Sequence, residues 1–151
     1  MTTYLHTLAV LLPELDGLAQ PWVLSGSAAA ALHGLDVTPG DIDLESTAPG
    51  AYEIGRRLAR FQLTPVTDSG TDLVHSHFGR FLVGDMYVEV MGDLRIRVGD
   101  GWSAPFLAGQ DPVHVQTAAG PVPVAARSAL AGQYERLGRP DRAAPLRREH
   151  P

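Results

Sequence analysis

A chain of 151 residues with net charge −5 is one ordinary domain, long enough for a real core and too short for a large second lobe. It has no cysteine, which excludes disulfides and thiolate metal sites and fits a reducing compartment, so a cytoplasmic location is expected. Residues 1–120 hold 14 acids and 6 arginines (−8) and residues 121–151 hold 3 and 6 (+3), a balance that argues against a dedicated binder of duplex nucleic acid. Every residue among the 12 Lys and Arg is arginine, which reads as the codon bias of a GC-rich genome rather than as chemistry.

In chain order, TYLHTLAVLLPEL has helical periodicity with a capping threonine near its start, and Asp16-Gly17 closes it. Its apolar run stops at Pro13 and lacks a basic flank, so neither a signal peptide nor a membrane span is expected. PWVLS reads as a short apolar strand. Ser27 is the expected N-cap of SAAAALHG, with Gly34 as its stop. DIDLE alternates strictly and reads as a second strand. Pro49 to Phe61 predicts an amphipathic helix burying Tyr52, Leu58 and Phe61, with Arg56, Arg57 and Arg60 in its last turn. QLTPVT, DLVHSHF, RFLVG, MYVEVMG, LRIRV and VHVQT follow as short strands between Gly and Asp turns. VAARSALAGQYERLG is helical, and Arg139-Pro140 breaks it before a short last turn. The order predicts an α+β fold: a mixed β-sheet with helices packed against it, one domain over 1–151 with its motif region at 21–92 and a helical segment at 124–148.

The chemistry-bearing pattern is GSAAAALHGLDVTPGDIDLE, Gly26 to Glu45. Residues two apart on a strand share a face at roughly 6.6 Å, so Asp41 and Asp43 can lean onto one cation while Ile42 and Leu44 face the core. Two carboxylates within roughly 4 Å repel by about 4 kcal/mol at an effective dielectric near 20, so their convergence calls for a metal or a shared proton. The bland alternative, a solvated acidic strand face, is the commoner fate of an isolated Asp-x-Asp. Context favours the sharper reading: Gly26-Ser27 sits where a strand meets a helix, a place suited to phosphate, and the 13 residues between Ser27 and Asp41 suffice for one short helix and a return beside the first strand.

WVLSGS, 13 residues and then DIDL resembles the nucleotidyltransferase superfamily with the polymerase-β-like fold, including its minimal and antibiotic-modifying members. By that resemblance a third carboxylate comes from a later strand, here Glu89 in MYVEVMG. The resemblance further implies that Asp41, Asp43 and Glu89 are the catalytic, metal-holding residues for two Mg²⁺ ions and that Gly26 and Ser27 hold nucleotide phosphates. A nucleoside monophosphate would pass from a nucleoside triphosphate to a small hydroxylated molecule or a partner protein, with pyrophosphate released. LGRPDR looks like the C-terminal helix of small relatives. Small relatives act as antibiotic-modifying enzymes or as halves of toxin–antitoxin pairs, and a catalytically inactive nucleotide-binding module of the same fold is the alternative reading.

The chain also departs from the pattern. Minimal relatives carry an arginine after the Gly-Ser pair, whereas SAAAALHG has only His33 polar, so countercharge must come from metal, from amides and from arginines such as Arg80 or Arg95. With no large helical lobe, a homodimer or partner subunit could complete the site. A lesser alternative centres a metal hydrolase on His75 and His77 with a carboxylate such as Asp72, although a His pair on an amphipathic strand is more often surface. Glu45 is expected to be solvated at a strand end, Asp85 and Asp93 to be turn residues, His33 to cap a helix end, and Trp22 and Trp102 to serve packing.

Overall fold

A computed structural model describes residues 2–108 and 110–148. Five α-helices surround one mixed sheet: α1 (Thr3–Leu15), β1 (Trp22–Ser25), α2 (Gly26–Leu32), β2 (Asp41–Ser46), α3 (Ala48–Arg57) with a 3-10 turn at Ala59–Phe61, β3 (Gln62–Gly70), β4 (Val74–Val83), β5 (Met86–Val98), β6 (Gly101–Trp102), β7 (Val113–Thr117), β8 (Gly120–Val124), α4 (Arg127–Arg136) and α5 (Pro140–Arg147). The strand order is β3-β4-β5-β2-β1-β8-β7, with β6 paired to the end of β5. β2 runs parallel to β5 and β1 parallel to β8, and the other pairs are antiparallel. This is the α+β, mixed-sheet architecture expected from the sequence.

The core forms on the face where strand alternation places Ile42, Leu44, Val88 and Val90, all fully buried. α3 closes on that face where glycine permits: a Cβ on Gly92 would stand 2.7 Å from Ala51 Cβ and 2.9 Å from the Thr47 carbonyl. Arg57 ties α3 to the end of α1, donating to the carbonyls of Glu14 (3.0 Å) and Asp16 (2.6 Å). Thr47 caps α3 by accepting from Gly50 N at 3.1 Å. The helix stops at Arg57 instead of running to Phe61, so Arg60 falls in the 3-10 turn, and Tyr52 is exposed while Leu58 is buried.

Four expected short strands are two long ones. β4 passes through Gly79 and β5 through Gly92, because these glycines mark close approach rather than a break; a Cβ at Gly79 would stand 2.9 Å from Val66 N. β5 carries a bulge instead: the pairs His77↔Gly92 and His75↔Arg95 set three steps of β5 against two of β4, and Asp93, expected in a turn, takes φ 49° there. The extra residue swaps the faces of the strand. Beyond it Leu94 and Ile96 turn to the side opposite α3, toward α4, with which they line a common cavity. β8 (GPVPV) was not expected as a strand, and α4 begins after it, at Arg127. Among the described residues no helix is long and apolar enough to cross a membrane.

Candidate active site

The site is a row across four strands on the face opposite α3. β2 pairs with β1 at Ser25↔Asp43 and with β5 at Asp43↔Glu89, and β5 pairs with β4 at Glu89↔Arg80. Asp41, two residues before Asp43, joins from the same face. One carboxylate oxygen from each of Asp41, Asp43 and Glu89 lies within 4.8 Å of the others, and all three residues are half-buried. The chain reaches this row through Gly26, whose φ of +65° turns β1 directly into α2 and brings the backbone against Asp43: a Cβ there would be 2.1 Å from Asp43 Oδ2. α2 therefore begins at Gly26 with Ser25, not Ser27, at the N-cap position.

The electrostatics follow from that crowding. Burial first, then the charges of Asp41, Glu89 and Glu45, hold the Asp43 carboxyl well above the usual range. Glu89 is also raised, first by burial and then by its hydrogen bond to Asp41 and the charge of Asp41, while Arg80 opposes the shift. Without a cation the three carboxylates repel one another. Three converging hard oxygen donors that repel one another suit a divalent cation such as Mg²⁺, so the residues present fit the ion that the resemblance implies.

Glu45, expected in solvent, is 1% exposed. β2 lies inside the sheet, and α4 covers this end of it: Gln133 Nε2 donates to Glu45 Oε2 at 3.1 Å, while Oε1 is buried without a partner. Burial pushes its pKa up to about 7 against the hydrogen bonds from Ser25 and Gln133. The one signal in the sequence is a glutamine on the face of α4 that buries Leu130, Ala131 and Tyr134. Gln133 also borders a cavity of about 880 Å³ between α4, the bulged half of β5 and residues 103–108 and 110–111, with Leu94, Ile96 and Phe106 among its walls. A second cavity, about 360 Å³, lies between α2 and α5 and is lined by Ser27, Leu35, Val37, Tyr134 and Arg142.

The other candidates take structural places. His75 Nε2 pairs with Asp68 at 2.6 Å and His77 Nδ1 with the Tyr52 hydroxyl at 2.9 Å, and both border a small cavity with Asp93, Arg95 and Trp102. Among the described residues no group of three potential metal donors includes either histidine. Asp72 is exposed, and its backbone carbonyl accepts from Arg97 Nε at 3.3 Å. Arg95 belongs to that same cavity, whereas Arg80 stacks 4.4 Å from the centre of the Tyr87 ring, one strand from Glu89. His33 caps the end of α2 with Nε2 2.7 Å from the Ala125 carbonyl. Trp102, exposed, stacks on Arg97 at 4.5 Å.

A sheet that brings three acids together beside a strand–glycine–helix turn defines a nucleotidyltransferase fold, and solved structures agree. A protein of Thermotoga maritima assigned as a nucleotidyltransferase superposes with TM-score 0.85 at 34% identity, covering 95% of this chain and 90% of that one. ANT(2'')-Ia, solved in complex with adenylyl-2''-tobramycin, shares the fold with TM-score 0.61 at 14% identity, over 95% of this chain and 89% of that one. A solution structure of the same antibiotic-resistance factor gives 0.60 at 14%, over 95% and 82%. No protein-family model matches the chain, and no curated protein matches it either. The chain belongs to the nucleotidyltransferase family of enzymes.

Proposed function

We propose that the chain transfers a nucleoside monophosphate from a nucleoside triphosphate to a hydroxyl of a small molecule. The observation that carries this reading is the convergence of Asp41, Asp43 and Glu89 within 4.8 Å beside Gly26. The acceptor oxygen forms a bond to the α-phosphorus, the α–β phosphoanhydride bond breaks, and pyrophosphate leaves with its electron pair. Asp41, Asp43 and Glu89 would hold Mg²⁺, with two ions expected, and the metal would neutralise charge on the attacking and leaving oxygens. Glu89, converging with Asp41 and Asp43, is the carboxylate placed to take the proton that the hydroxyl gives up. Gly26 and Ser27 hold the phosphates. The remaining contribution of the protein is position and charge.

For the acceptor, the cavity of about 880 Å³ beside α4 has the size of a small-molecule site. Its one acid, Asp111, and one base, Arg136, balance, so a neutral hydroxylated compound suits it better than a polycation. ANT(2'')-Ia, whose structure holds an adenylylated tobramycin, is a fold-mate with a small-molecule product. The test is thermal unfolding with Mg²⁺ and each nucleoside triphosphate in turn. A ligand at 100 times its dissociation constant adds about 2.7 kcal/mol, and the expected result is stabilisation that needs metal and nucleotide together. No response to any nucleotide with Mg²⁺ overturns the reading, and a response to Zn²⁺ alone moves the site to His75 and His77.

A further inference from the structure

The α2 segment, GSAAAAL, supplies no cation to a ligand that brings several negative charges to a row of acids. Of the two arginines that the sequence suggested, Arg80 stands beyond Glu89 on β4, across β5 and β2 from the β1–α2 turn, and Arg95 lines a different cavity. On the α2 side the fold supplies another. Ser27 and Arg142 line the same cavity between α2 and α5, and Tyr134 stands in its wall with the Arg142 guanidinium carbon 5.9 Å from its ring centre. Leu35, Val37 and Pro145 add an apolar wall that suits a sugar or a base edge, and Asp141 is the one acid among the described lining residues.

We propose that Arg142 is the cation that meets the β- and γ-phosphates of the nucleotide opposite Ser27, which makes the cavity between α2 and α5 the triphosphate seat. The inference rests on the nucleotidyltransferase reading above and assigns a residue outside its acid cluster. Arg142 is available for the role. Arg139 is held by Asp141 at 3.2 Å, Arg147 by Glu135 at 2.6 Å and Arg57 by Glu53 at 2.7 Å, while among the described residues Arg142 has no carboxylate partner in an ion pair. Because Asp141 is engaged with Arg139, the one acid in the cavity is already balanced.

Arg142 is also held in place. Ala143 and Leu146 are buried where α5 packs on the domain, and Arg127 donates to the carbonyls of Pro145, Leu146 and Arg148. The seat adjoins the acids through the chain itself: Ser27 follows Gly26, whose backbone lies against the Asp43 carboxylate, so a triphosphate bridging Ser27 and Arg142 would start beside the acid row.

The experiment compares the wild-type chain with Arg142→Gln and Arg142→Lys by calorimetric titration in Mg²⁺. The probes are inorganic tripolyphosphate, which has no base, and the α,β-methylene analogues of the four nucleoside triphosphates, which cannot react. Mn²⁺ affinity, read by electron paramagnetic resonance, and the melting temperature serve as controls on the acid cluster and on folding; the exposed Arg142 head group can be removed without opening the core. A charge-assisted contact predicts about 10–100-fold weaker binding of tripolyphosphate and of the analogues by Arg142→Gln. Arg142→Lys should fall within a few-fold of wild type, with Mn²⁺ affinity unchanged in both. Equal affinity of wild type and Arg142→Gln overturns the assignment and leaves the nucleotidyltransferase reading standing. A wild-type chain that binds neither tripolyphosphate nor any analogue in Mg²⁺ overturns both.

Discussion

Replacing Gly26 with alanine tests whether the β1–α2 turn and the acid row are one unit. The residue has φ +65°, where an L side chain costs about 1–2 kcal/mol. The new Cβ would stand 2.1 Å from Asp43 Oδ2, 3.0 Å from its Cγ and 3.3 Å from its Cβ. The carboxylate must therefore swing away, and an off-rotamer side chain costs on the order of 1 kcal/mol. Together about 2–3 kcal/mol is lost, which for a chain of this size lowers Tm by about 4–12 °C. Gly84→Ala is the control: its φ is +62° with nothing within 4 Å of the added Cβ, so it carries the backbone cost alone. Because Asp43 escapes repulsion from Asp41 and Glu89 when it moves, the sharper readout is titration with Mg²⁺. At least a tenfold loss of metal affinity is expected in Gly26→Ala and none in Gly84→Ala. Equal metal affinity in both, with equal loss of Tm, refutes the coupling of turn and site.

Asp43→Asn should raise the melting temperature of the metal-free chain at pH 8 and abolish its response to Mg²⁺, because burial and three acids disfavour the charged carboxylate; a fall of many degrees without metal would mark Asp43 as structural. Glu45 gives a pH signature: its folded pKa, about 7, exceeds the ordinary 4.5, so its contribution is fully present below pH 4.5 and is lost as pH rises through 7, amounting to about 3 kcal/mol. Glu45→Gln should therefore be more stable than wild type at pH 8 by about that amount and much closer to it at pH 5, measured by urea unfolding. Arg127→Met removes donors to the carbonyls of His33, Pro145, Leu146 and Arg148; an expected loss of about 2–4 kcal/mol should appear with faster amide exchange in α5.

What the sequence made legible was local. The β1–α2–β2 unit could be read because alternation, an alanine run and glycine stops agree within 25 residues or so, and Asp41 and Asp43 share a face through the strand period; Glu89 was reached through the family resemblance, and the β2–β5 register sets it beside Asp43. What was not legible depends on distant partners. Gly79 and Gly92 look like strand ends in one dimension and are close approaches to Val66 and to α3 in three. β8 hid behind Pro121 and Pro123, since proline lacks the ladder N–H; the strand accordingly meets β1 at a single pair, Leu24↔Val124, and pairs fully with β7. Glu45 looked solvated because nothing nearby in the chain announces that Gln133, 88 positions later, covers it. Arg142 likewise comes to the cavity that Ser27 lines only through the docking of α5.

The central claim is nucleotidyl transfer at the acid row, and following the nucleoside monophosphate itself tests it most directly. The chain is incubated with each α-labelled nucleoside triphosphate, Mg²⁺ and a small-molecule extract, and product mass and pyrophosphate release are read together. The account predicts one nucleotide whose monophosphate mass moves to a hydroxylated small molecule with stoichiometric pyrophosphate, and no transfer by Asp41→Asn or Asp43→Asn. Transfer undiminished in those two variants, or no transfer by the wild-type chain with any of the four nucleotides, would contradict it.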